Sequence, residues 1–304
     1  MRISPLLRVM AMMLAGFAGA NARATFHLMQ IEQVSGGVNG DATAQAIQLR
    51  LRSAGENLVS GASLWVADAA GTNRILVLNI PSNVVNSTAG DRVLIAGTNF
   101  ARYTSPAAAP DFAMAHLIPT NYFKAGRLTY EQDGGTTNTP GTIFWSLSWG
   151  GTNYTGPQTG STFNDADGNF GPAYSGSLPS ASTNALRFTN SATALSTSNV
   201  VDYLLTSGPA TFVNNARSSF VVFVLQPPSL SISRQTNDIR ITWATTAGKT
   251  NILQRATGTA TTGLTTNFTG IFTVTNGTGT VTNYLDAGAV TNFRSAFYRV
   301  RLAP

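Results

Sequence analysis

The chain has 304 residues, enough for one large or two medium domains, and it is 43% hydrophobic but only 11% charged, against about 25% charged residues in an average soluble domain. Its formal charge of +6 includes Arg2, Arg8 and Arg23 near the N-terminus, and without these three it is 6 minus 3, or +3. That weak positive charge gives no indication of a nucleic-acid partner. The sequence contains no cysteine, which excludes disulfides, a catalytic thiol, thiolate metal ligands and a lipid-modified cysteine.

Residues 1–24 are typical of a secretory signal peptide. Arginines stand near the start, residues 9–20 form a short apolar run, and Ala22 and Ala24 are the small residues of a cleavage site. A transmembrane anchor is the competing interpretation, but about a dozen apolar residues cannot cross roughly 30 Å of hydrocarbon as a helix. We predict cleavage after Ala24, a mature chain that begins at Thr25, and a secreted or cell-surface location with no membrane span.

From residue 25 to residue 226, apolar positions recur at the spacing of β-strands. The predicted strands, in chain order, are residues 26–34, 45–52, 64–67, 75–80, 92–96, 126–132, 142–151, 185–189, 200–206 and 219–226. Residues 111–117 are expected to make a helical turn, which Pro119 would end. Segments rich in Gly, Asn and Pro separate the strands, as expected of turns.

Residues 45–52 alternate most cleanly. Three aliphatic side chains point to one side, and the other side carries Gln48, Arg50 and Arg52. The arginines could form a docking stripe for an acidic polymer, or they could lie on the solvent face of an antiparallel sheet. We expect these arginines to lie on the solvent face.

Residues 142–151 also alternate, and they follow residues 126–132 across a turn-rich segment, so the two strands are predicted to form a hairpin. Trp145 and Trp149 could stack on sugars, but they share a face with two aliphatic residues, which favours burial in the core. Tyr154, in the loop that follows, is the better candidate for an exposed ring and is the predicted ligand contact.

Pro227 and Pro228 cannot sit inside a central strand, so we place a domain boundary there. Beyond it, alternation predicts a strand around 230–232 and strands at 239–243, 250–255, 271–275, 280–285 and 297–302. Asn276-Gly277 is a strong hairpin signal between two of them. The predicted fold is all-β, with two immunoglobulin-like β-sandwich domains, 25–226 and 229–304.

Two resemblances accompany this pattern. Residues 25–226 resemble the lamin-tail type of immunoglobulin-like domain of exported bacterial proteins, in segments 46–58 (AIQLRLRSAGENL), 89–96 (AGDRVLIA) and 199–203 (NVVDY) with Gly208-Pro209 and Asn214-Asn215. Residues 229–304 resemble a fibronectin type III or immunoglobulin-like module, in segments 239–243 (IRITW) and 297–301 (FYRVR). The resemblances imply binding, spacing or display, with no active site to carry over.

Catalytic residue patterns are sparse. His27 and His116 are the only histidines, and Asp111 near His116 is accompanied by neither a nucleophile elbow nor a zinc-binding helix motif. Glu131 and Asp133 are the nearest pair of carboxylates for a glycosidase-like reaction, but solvated charge is also normal at a hairpin turn. We therefore predict no catalytic residues.

Residues 165–169 are the candidate metal site. Asp165, Asp167 and Asn169 place oxygen side chains at alternate positions of a flexible loop, which suits a hard cation such as Ca²⁺. The helix-loop-helix calcium pattern is not met, because Phe170 stands where that pattern needs Gly and no Glu closes the loop. A tight turn explains the same residues, so both interpretations stay open.

The sequence thus predicts a secreted, non-catalytic structural or adhesive protein of the cell surface or extracellular matrix. Its expected partners are a cell-surface polysaccharide or another exported protein. The alternative is a carbohydrate-binding accessory module, calcium-dependent in one version, with loops 151–180 as its binding edge. An enzyme ranks third, and it would need Asp111, His116 and a serine in one pocket.

Overall fold

The computed structural model describes residues 25–224, 229–245, 249–258, 267–275, 277 and 280–303. The predicted signal peptide, the Pro227-Pro228 boundary and the turn residue Asn276 lie outside these residues. The chain divides into two compact units between Val224 and Leu225. Strands account for 42% of the structure and helices for 8%, and the strands form several sheets. The prediction of an all-β fold of sandwiched sheets is confirmed.

The first unit contains thirteen strands in the described residues. They are β1 (Met29–Ser35), β2 (Ala46–Leu51), β3 (Ala62–Ala67), β4 (Ile75–Asn79), β5 (Arg92–Ala96), β6 (Thr104–Ser105), β7 (Phe112–Ala113), β8 (Gly126–Gln132), β9 (Ile143–Trp149), β10 (Leu186–Phe188), β11 (Tyr203–Leu205), β12 (Thr211–Val213) and β13 (Ser219–Val222). Short 3₁₀ turns occupy Val59–Gly61, Phe100–Tyr103, Thr120–Tyr122 and Gly151–Asn153, and one α-helical turn occupies Asn199–Asp202.

These strands form three sheets. The orders are β11-β10-β1-β2-β5-β7, β4-β3-β8-β9 and β12-β13-β6. Strand β5 shows how the sheets stack, because Val93 and Ile95 enter the hydrophobic cluster shared with the four-stranded sheet, whereas Leu94 and Ala96 enter the cluster shared with the three-stranded sheet. The six-stranded sheet is therefore covered on both faces.

This covering corrects the expectation for β2. Gln48 and Arg50 are buried, at 2% and 6% exposure, so they lie neither on a solvent face nor in a docking stripe. Val213 of the three-stranded sheet donates its N–H to Gln48, and Arg50 donates to the carbonyls of Asn190 and Ser191 at 3.0 and 3.1 Å. The polar side of the strand thus faces a second protein layer instead of water.

The predicted helical turn at 111–117 is wrong. Its first residues run along β5, where Phe112 and Ala113 pair in parallel with Ile95 and Ala96. The Asp111 carboxylate accepts the N–H of Leu94 at 2.8 Å, and the Asp111 N–H donates to the Leu94 carbonyl at 2.9 Å. Pairing with a neighbouring strand satisfies the backbone that a helical turn would have satisfied internally.

The strand predicted at 200–206 is correct only in its second half. Residues Asn199–Asp202 form a helical turn and the strand begins at Tyr203. The Asp202 carboxylate accepts the N–H groups of Thr197 and Ser198 at 2.7 and 3.1 Å. These bonds satisfy amide groups at the start of the turn, which favours helix over strand there.

In the described residues, the second unit has six strands and one helical turn, Ala289–Asn292. The strands are β14 (Leu230–Gln235), β15 (Asp238–Ala244), β16 (Thr250–Gly258), β17 (Thr269–Val274), β18 (Val281–Asp286) and β19 (Ser295–Ala303). They form two sheets, β14-β15-β18 and β17-β16-β19. The fully buried part of the core comprises Ile241, Trp243 and Leu253.

The turn predictions of this unit had mixed outcomes. The turn at Thr236-Asn237 is confirmed, because β14 and β15 pair antiparallel up to Gln235 opposite Asp238. The hairpin predicted at Asn276-Gly277 is wrong, since β17 pairs with β16 whereas β18 pairs with β15 in the other sheet. The chain crosses from one sheet to the other there, and Gly277 donates its N–H to the Lys249 carbonyl.

Within the described residues, no helix has the length and apolar character that a membrane crossing would require.

Candidate functional site

The hairpin of β8 and β9 has the predicted pairing, with Gly126 opposite Trp149 and Tyr130 opposite Trp145. Both tryptophans are 0% exposed, so their predicted place in the core is confirmed. The Trp145 indole donates to the Tyr203 hydroxyl at 2.8 Å, and the Trp149 indole donates to the Tyr122 carbonyl at 2.8 Å. Neither ring presents a face for a sugar to stack on.

The other face of β9 is covered by the long loop that begins at Gly150. Ser146 and Ser148 on that face are fully buried. The loop pairs with the strand at two places, because Tyr174 donates its N–H to the Ser148 carbonyl at 2.9 Å and Ser161 donates its N–H to the Ile143 carbonyl at 2.8 Å. The glycine-rich segment therefore pairs along the edge of the sheet that β9 forms.

The expected exposure of Tyr154 is wrong. Its side chain packs with Ala125 and Ala173 and is 4% exposed, and its hydroxyl donates to the Pro157 carbonyl at 2.8 Å. Burial raises the pKa of the phenol to about 12, against the opposing effect of the Arg127 guanidinium. The ring anchors the start of the loop, and its assignment as a ligand contact stays an untested prediction.

The acidic turn, residues 164–171, forms the middle of this loop. The Asp165 carboxylate accepts the N–H of Asp167 through Oδ1 at 3.1 Å and that of Asn169 at 3.3 Å. Asp167 Oδ1 accepts the Asn169 N–H at 2.8 Å, and Asn169 Oδ1 accepts the Gly171 N–H at 3.2 Å. The structure thus brings Asp165 and Asp167 together around one turn, with Asn169 beside them.

The two carboxylates differ in environment. Asp165 is 1% exposed, whereas Asp167 lies on the surface. Burial, and then the neighbouring Asp167 carboxylate, raise the pKa of Asp165, while the Asn169 amide lowers the pKa of Asp167. Two acidic groups this close repel each other unless a proton or a cation lies between them.

The acidic turn is anchored to the sandwich on both sides. Asn164 donates its side-chain amide to the carbonyls of His27 and Phe144 at 2.7 and 2.8 Å. Phe170 is 0% exposed and packs on Trp145 with ring centroids 5.7 Å apart. The residue that breaks the helix-loop-helix calcium pattern therefore fixes the turn to the core.

The ligand set of this turn is two carboxylates and an amide. Among the residues that the structure describes, no three His, Cys, Asp or Glu side chains gather in a way that could hold a metal ion. A cation at the acidic turn would therefore take its remaining oxygen ligands from amide groups, backbone carbonyls or water.

The candidate catalytic residues have separate partners. The Asp111 carboxylate accepts the N–H groups of Leu94 and Asn215, each at 2.8 Å, and His116 Nδ1 lies 2.9 Å from the Leu76 carbonyl. A groove of about 420 Å³ includes Asp111 and Ser82 in its lining, but His116 is not one of its lining residues. The arrangement that would favour an enzyme is therefore incomplete.

Glu131 and Asp133 also fail to face each other across a cleft. Glu131 is 0% exposed and forms an ion pair with Arg74, and its other oxygen accepts the Gly141 N–H at 2.9 Å. Asp133 lies on the surface and accepts the N–H of Gly134 within the same turn. The expectation that both are solvated turn charges is therefore wrong for Glu131.

Sequence reasoning missed Ser161 as a member of the candidate site. Its hydroxyl is buried without a hydrogen-bond partner, and the same is true of Asp165 Oδ2. Ser161 adjoins the acidic turn because Gly160 donates its N–H to the Gly168 carbonyl at 2.8 Å. Nothing in the local sequence pattern predicts this pairing.

No protein-family model matches the chain, and no curated protein sequence matches it. The lamin-tail and fibronectin type III resemblances therefore stay predictions.

Proposed function

We propose that this chain is a secreted, non-catalytic structural or adhesive protein of the cell surface or extracellular matrix. The observation that supports the proposal best is that the acidic groups considered for catalysis serve as partners within the fold. A catalytic carboxylate is aimed into a cleft, where its pKa can be tuned for proton transfer. Here Glu131 pairs with Arg74, and the Asp111 carboxylate, although Asp111 lines a groove, accepts backbone N–H groups.

Glu32 gives the clearest example of such internal use. Its carboxylate pairs with Arg50 at 3.0 Å and with Arg92 at 2.7 Å, and it also accepts the Gln48 amide at 2.7 Å. These groups lie between the six-stranded sheet and the layers that cover it. Charge inside this unit holds layers together, which is the expected use in a structural module.

An exposed apolar edge of the first unit supports a binding role. Strand β11 ends the six-stranded sheet, and Val201, Leu204 and Leu205 are 66%, 56% and 48% exposed beside it. A groove of about 560 Å³ adjoins this strand and includes Arg187 in its lining. Exposed apolar residues grouped at a sheet edge are typical of surfaces that contact other macromolecules. The proposed partner is a cell-surface polysaccharide or another exported protein.

Sedimentation with isolated cell envelopes of the producing organism tests the adhesive role. We expect the protein purified from the medium to begin at Thr25 and to cosediment with envelopes, and a Leu204→Ser/Leu205→Ser variant to cosediment less. Val85→Ser is the matched control, because Val85 is 89% exposed at another site. Equal binding by all three proteins would place the contact elsewhere, and absence of binding would contradict adhesion.

A substrate panel tests the non-catalytic part of the proposal. The purified protein is assayed on glycan, peptide and ester substrates, together with Asp111→Asn and His116→Ala variants. We expect no turnover above a buffer control. Turnover that either substitution abolishes would overturn the proposal.

The carbohydrate-binding alternative is tested by a glycan array with calcium and with chelator. The aromatic side chains considered for sugar stacking are buried, since Trp145, Trp149 and Tyr154 are all 4% exposed or less. A blank array in the presence of calcium would remove this alternative, whereas a specific glycan signal would identify the adhesive partner.

A further inference from the structure

The acidic turn contains a buried carboxylate oxygen without a hydrogen-bond partner, and the loop just before it contains a buried hydroxyl without one. Among the described residues, four buried side-chain N or O atoms have no hydrogen-bond partner: Ser161 Oγ, Asp165 Oδ2, Arg240 Nε and Trp243 Nε1. The two oxygens both lie in the loop that covers β9. Leaving a buried polar atom without a partner costs about 1 to 3 kcal/mol, and more for a charged group. The unpartnered carboxylate oxygen of Asp165 favours a cation as its missing partner.

Among the residues that the structure describes, Asp165 forms no ion pair. Arg52 is the nearby cation, and it donates through Nη1 to Asn164 Oδ1 at 2.8 Å and to the Phe163 carbonyl at 3.1 Å. Its Nε and Nη2 donate to the carbonyls of Ala194 and Thr193, each at 2.9 Å. All three guanidinium nitrogens therefore bind other groups, and within the described residues Arg52 forms no ion pair with Asp165 or Asp167.

We propose that residues 165–169 form a binding site for one hard divalent cation, Ca²⁺, with Asp165 Oδ2 and the Asp167 carboxylate as its charged ligands. Asn169 Oδ1 accepts one hydrogen bond, from Gly171, and a carbonyl oxygen has a second lone pair for the ion. Asp167 and Asn169 lie on the surface, so water can fill the remaining positions. The site goes beyond the adhesive role and does not depend on it.

The ligand chemistry selects among metals. Zn²⁺ prefers His and Cys ligands, and Mg²⁺ demands near-octahedral geometry and keeps most of its water. Ca²⁺ takes six to eight oxygen ligands in irregular geometry, which suits two carboxylates, an amide and solvent. Sites with few charged ligands bind Ca²⁺ with Kd values of roughly 10⁻⁴ to 10⁻³ M, as in extracellular modules.

Binding would tie the loop more firmly to the sheet. The acidic turn is joined to the core by Phe170, and Gly160 pairs with Gly168 next to Ser161. A cation that binds the folded turn and not the unfolded chain stabilises the fold in proportion to its saturation.

Calorimetric titration with CaCl₂ tests the site directly. The full protein is first dialysed against chelator and then against metal-free buffer. We expect one binding event per chain, and a rise in the melting temperature of about 5 °C at about 5 mM CaCl₂. MgCl₂ at equal concentration, which matches ionic strength, is expected to produce a clearly smaller shift.

Asp167→Asn is the decisive variant, because Asp167 is on the surface and its replacement leaves the buried core intact. We expect its Ca²⁺ affinity to fall at least about tenfold, since affinity follows the charge of the ligand set. Asp133→Asn is the matched control, because Asp133 is an exposed aspartate that accepts the N–H of its own turn. It should retain the full calcium response.

Asp165→Asn is the second variant and separates a metal site from a shared proton. If the carboxylates share a proton and bind no metal, the wild type will show neither heat nor a melting shift, and Asp165→Asn will be at least as stable as the wild type in chelator. That result would overturn the proposal. Equal calcium responses in wild type and Asp167→Asn, or an equal loss in Asp133→Asn, would overturn it as well.

Discussion

Arg50 shows how much a single buried charge contributes to the first unit. The Arg50 side chain is 6% exposed, and its guanidinium pairs with Glu32 at 3.0 Å and donates to Gln30 Oε1 at 2.7 Å. It also donates to the carbonyls of Asn190 and Ser191. One side chain therefore links β1, β2 and the segment that covers them.

We predict that Arg50→Met lowers the free energy of unfolding by about 3 kcal/mol, because Glu32 and Gln30 lose a buried partner. Arg217→Met is the control: Arg217 also pairs with an acid, Asp91, but its side chain is 60% exposed, so the loss should be much smaller. Urea unfolding of both variants measures the difference. Equal losses would mean that burial of the Glu32 pair adds nothing.

The Asp91 pair makes a prediction about acid stability. The hydrogen bond from Arg217 lowers the pKa of Asp91, burial opposes this shift, and the Thr88 N–H at 2.7 Å adds to it. A carboxyl whose pKa is lower in the folded state stabilises the fold above its unfolded pKa, and this stabilisation is lost as the pH falls through the folded pKa. The stabilisation by Asp91 is therefore lost in the pH range below about 5.

We expect Asp91→Asn to be less stable than the wild type near neutral pH, and the two stability curves to converge as the pH falls below about 4. Urea midpoints measured across that range test this. Asp133→Asn, which removes an exposed carboxylate, should run parallel to the wild type. A difference in stability between wild type and Asp91→Asn that stays constant over the whole acidic range would contradict the expectation.

At the residue scale, the sequence located the apolar side of each strand but not what covers the polar side. Trp145 and Trp149 were correctly predicted to be buried, since alternation with aliphatic residues reports the core face. Arg50 was incorrectly placed in solvent, because its covering partner Asn190 is 140 residues away along the chain. The unpaired oxygen of Asp165 depends on contacts that no local pattern records.

At the scale of elements, two consecutive hydrogen bonds connect the two main sheets. The Trp145 indole in β9 donates to the Tyr203 hydroxyl in β11, and that hydroxyl donates to the Ile31 carbonyl in β1. All three residues are 0% exposed. These two hydrogen bonds therefore join the four-stranded sheet to the six-stranded sheet through their shared core.

We predict that Tyr203→Phe lowers the free energy of unfolding by about 2 kcal/mol, because it leaves a buried donor on Trp145 and a buried acceptor on Ile31 without their partner. The control is Tyr103→Phe, since the half-buried Tyr103 hydroxyl donates to Asp41, which also accepts bonds from Thr43. That variant should lose less than about 1 kcal/mol. Thermal unfolding of both variants measures the two losses of stability. Similar losses would contradict the stabilising role of the buried Trp145–Tyr203–Ile31 hydrogen bonds.

Sequence reasoning found the long strands and missed β6, β7 and β12, three of the short ones. Strands such as β5 and β8 have enough residues to show alternation, and both were predicted with their exact bounds. Strand β12 has three residues, and β6 and β7 have two each, so a period of two is hard to recognise in them. The connection at Gly277 was misjudged because a turn signal does not say which sheet the next strand joins.

At the scale of the whole molecule, the two units differ in the size of their cores. The main cluster of the first unit includes residues from all of β1 to β5 together with β8 and β9. In the second unit, the fully buried apolar side chains of its cluster are Ile241, Trp243 and Leu253, and partly buried residues surround them. Because stability rises with buried apolar area, the amide groups of the second unit should open at lower free energy than those of β8 and β9.

Hydrogen exchange followed by mass spectrometry measures this difference. The Trp243→Ala variant is expected to increase it. Trp243 is 1% exposed, so its truncation should cost about 3 to 5 kcal/mol of local stability and accelerate exchange throughout β14 to β19. Exchange in β8 and β9 should not change, because the core of the first unit keeps all its side chains. Trp65→Ala is the reciprocal control, since Trp65 is 6% exposed in β3 and its loss should accelerate exchange in the first unit. If Trp243→Ala raised exchange equally in both units, the two cores would have to unfold as one cooperative structure.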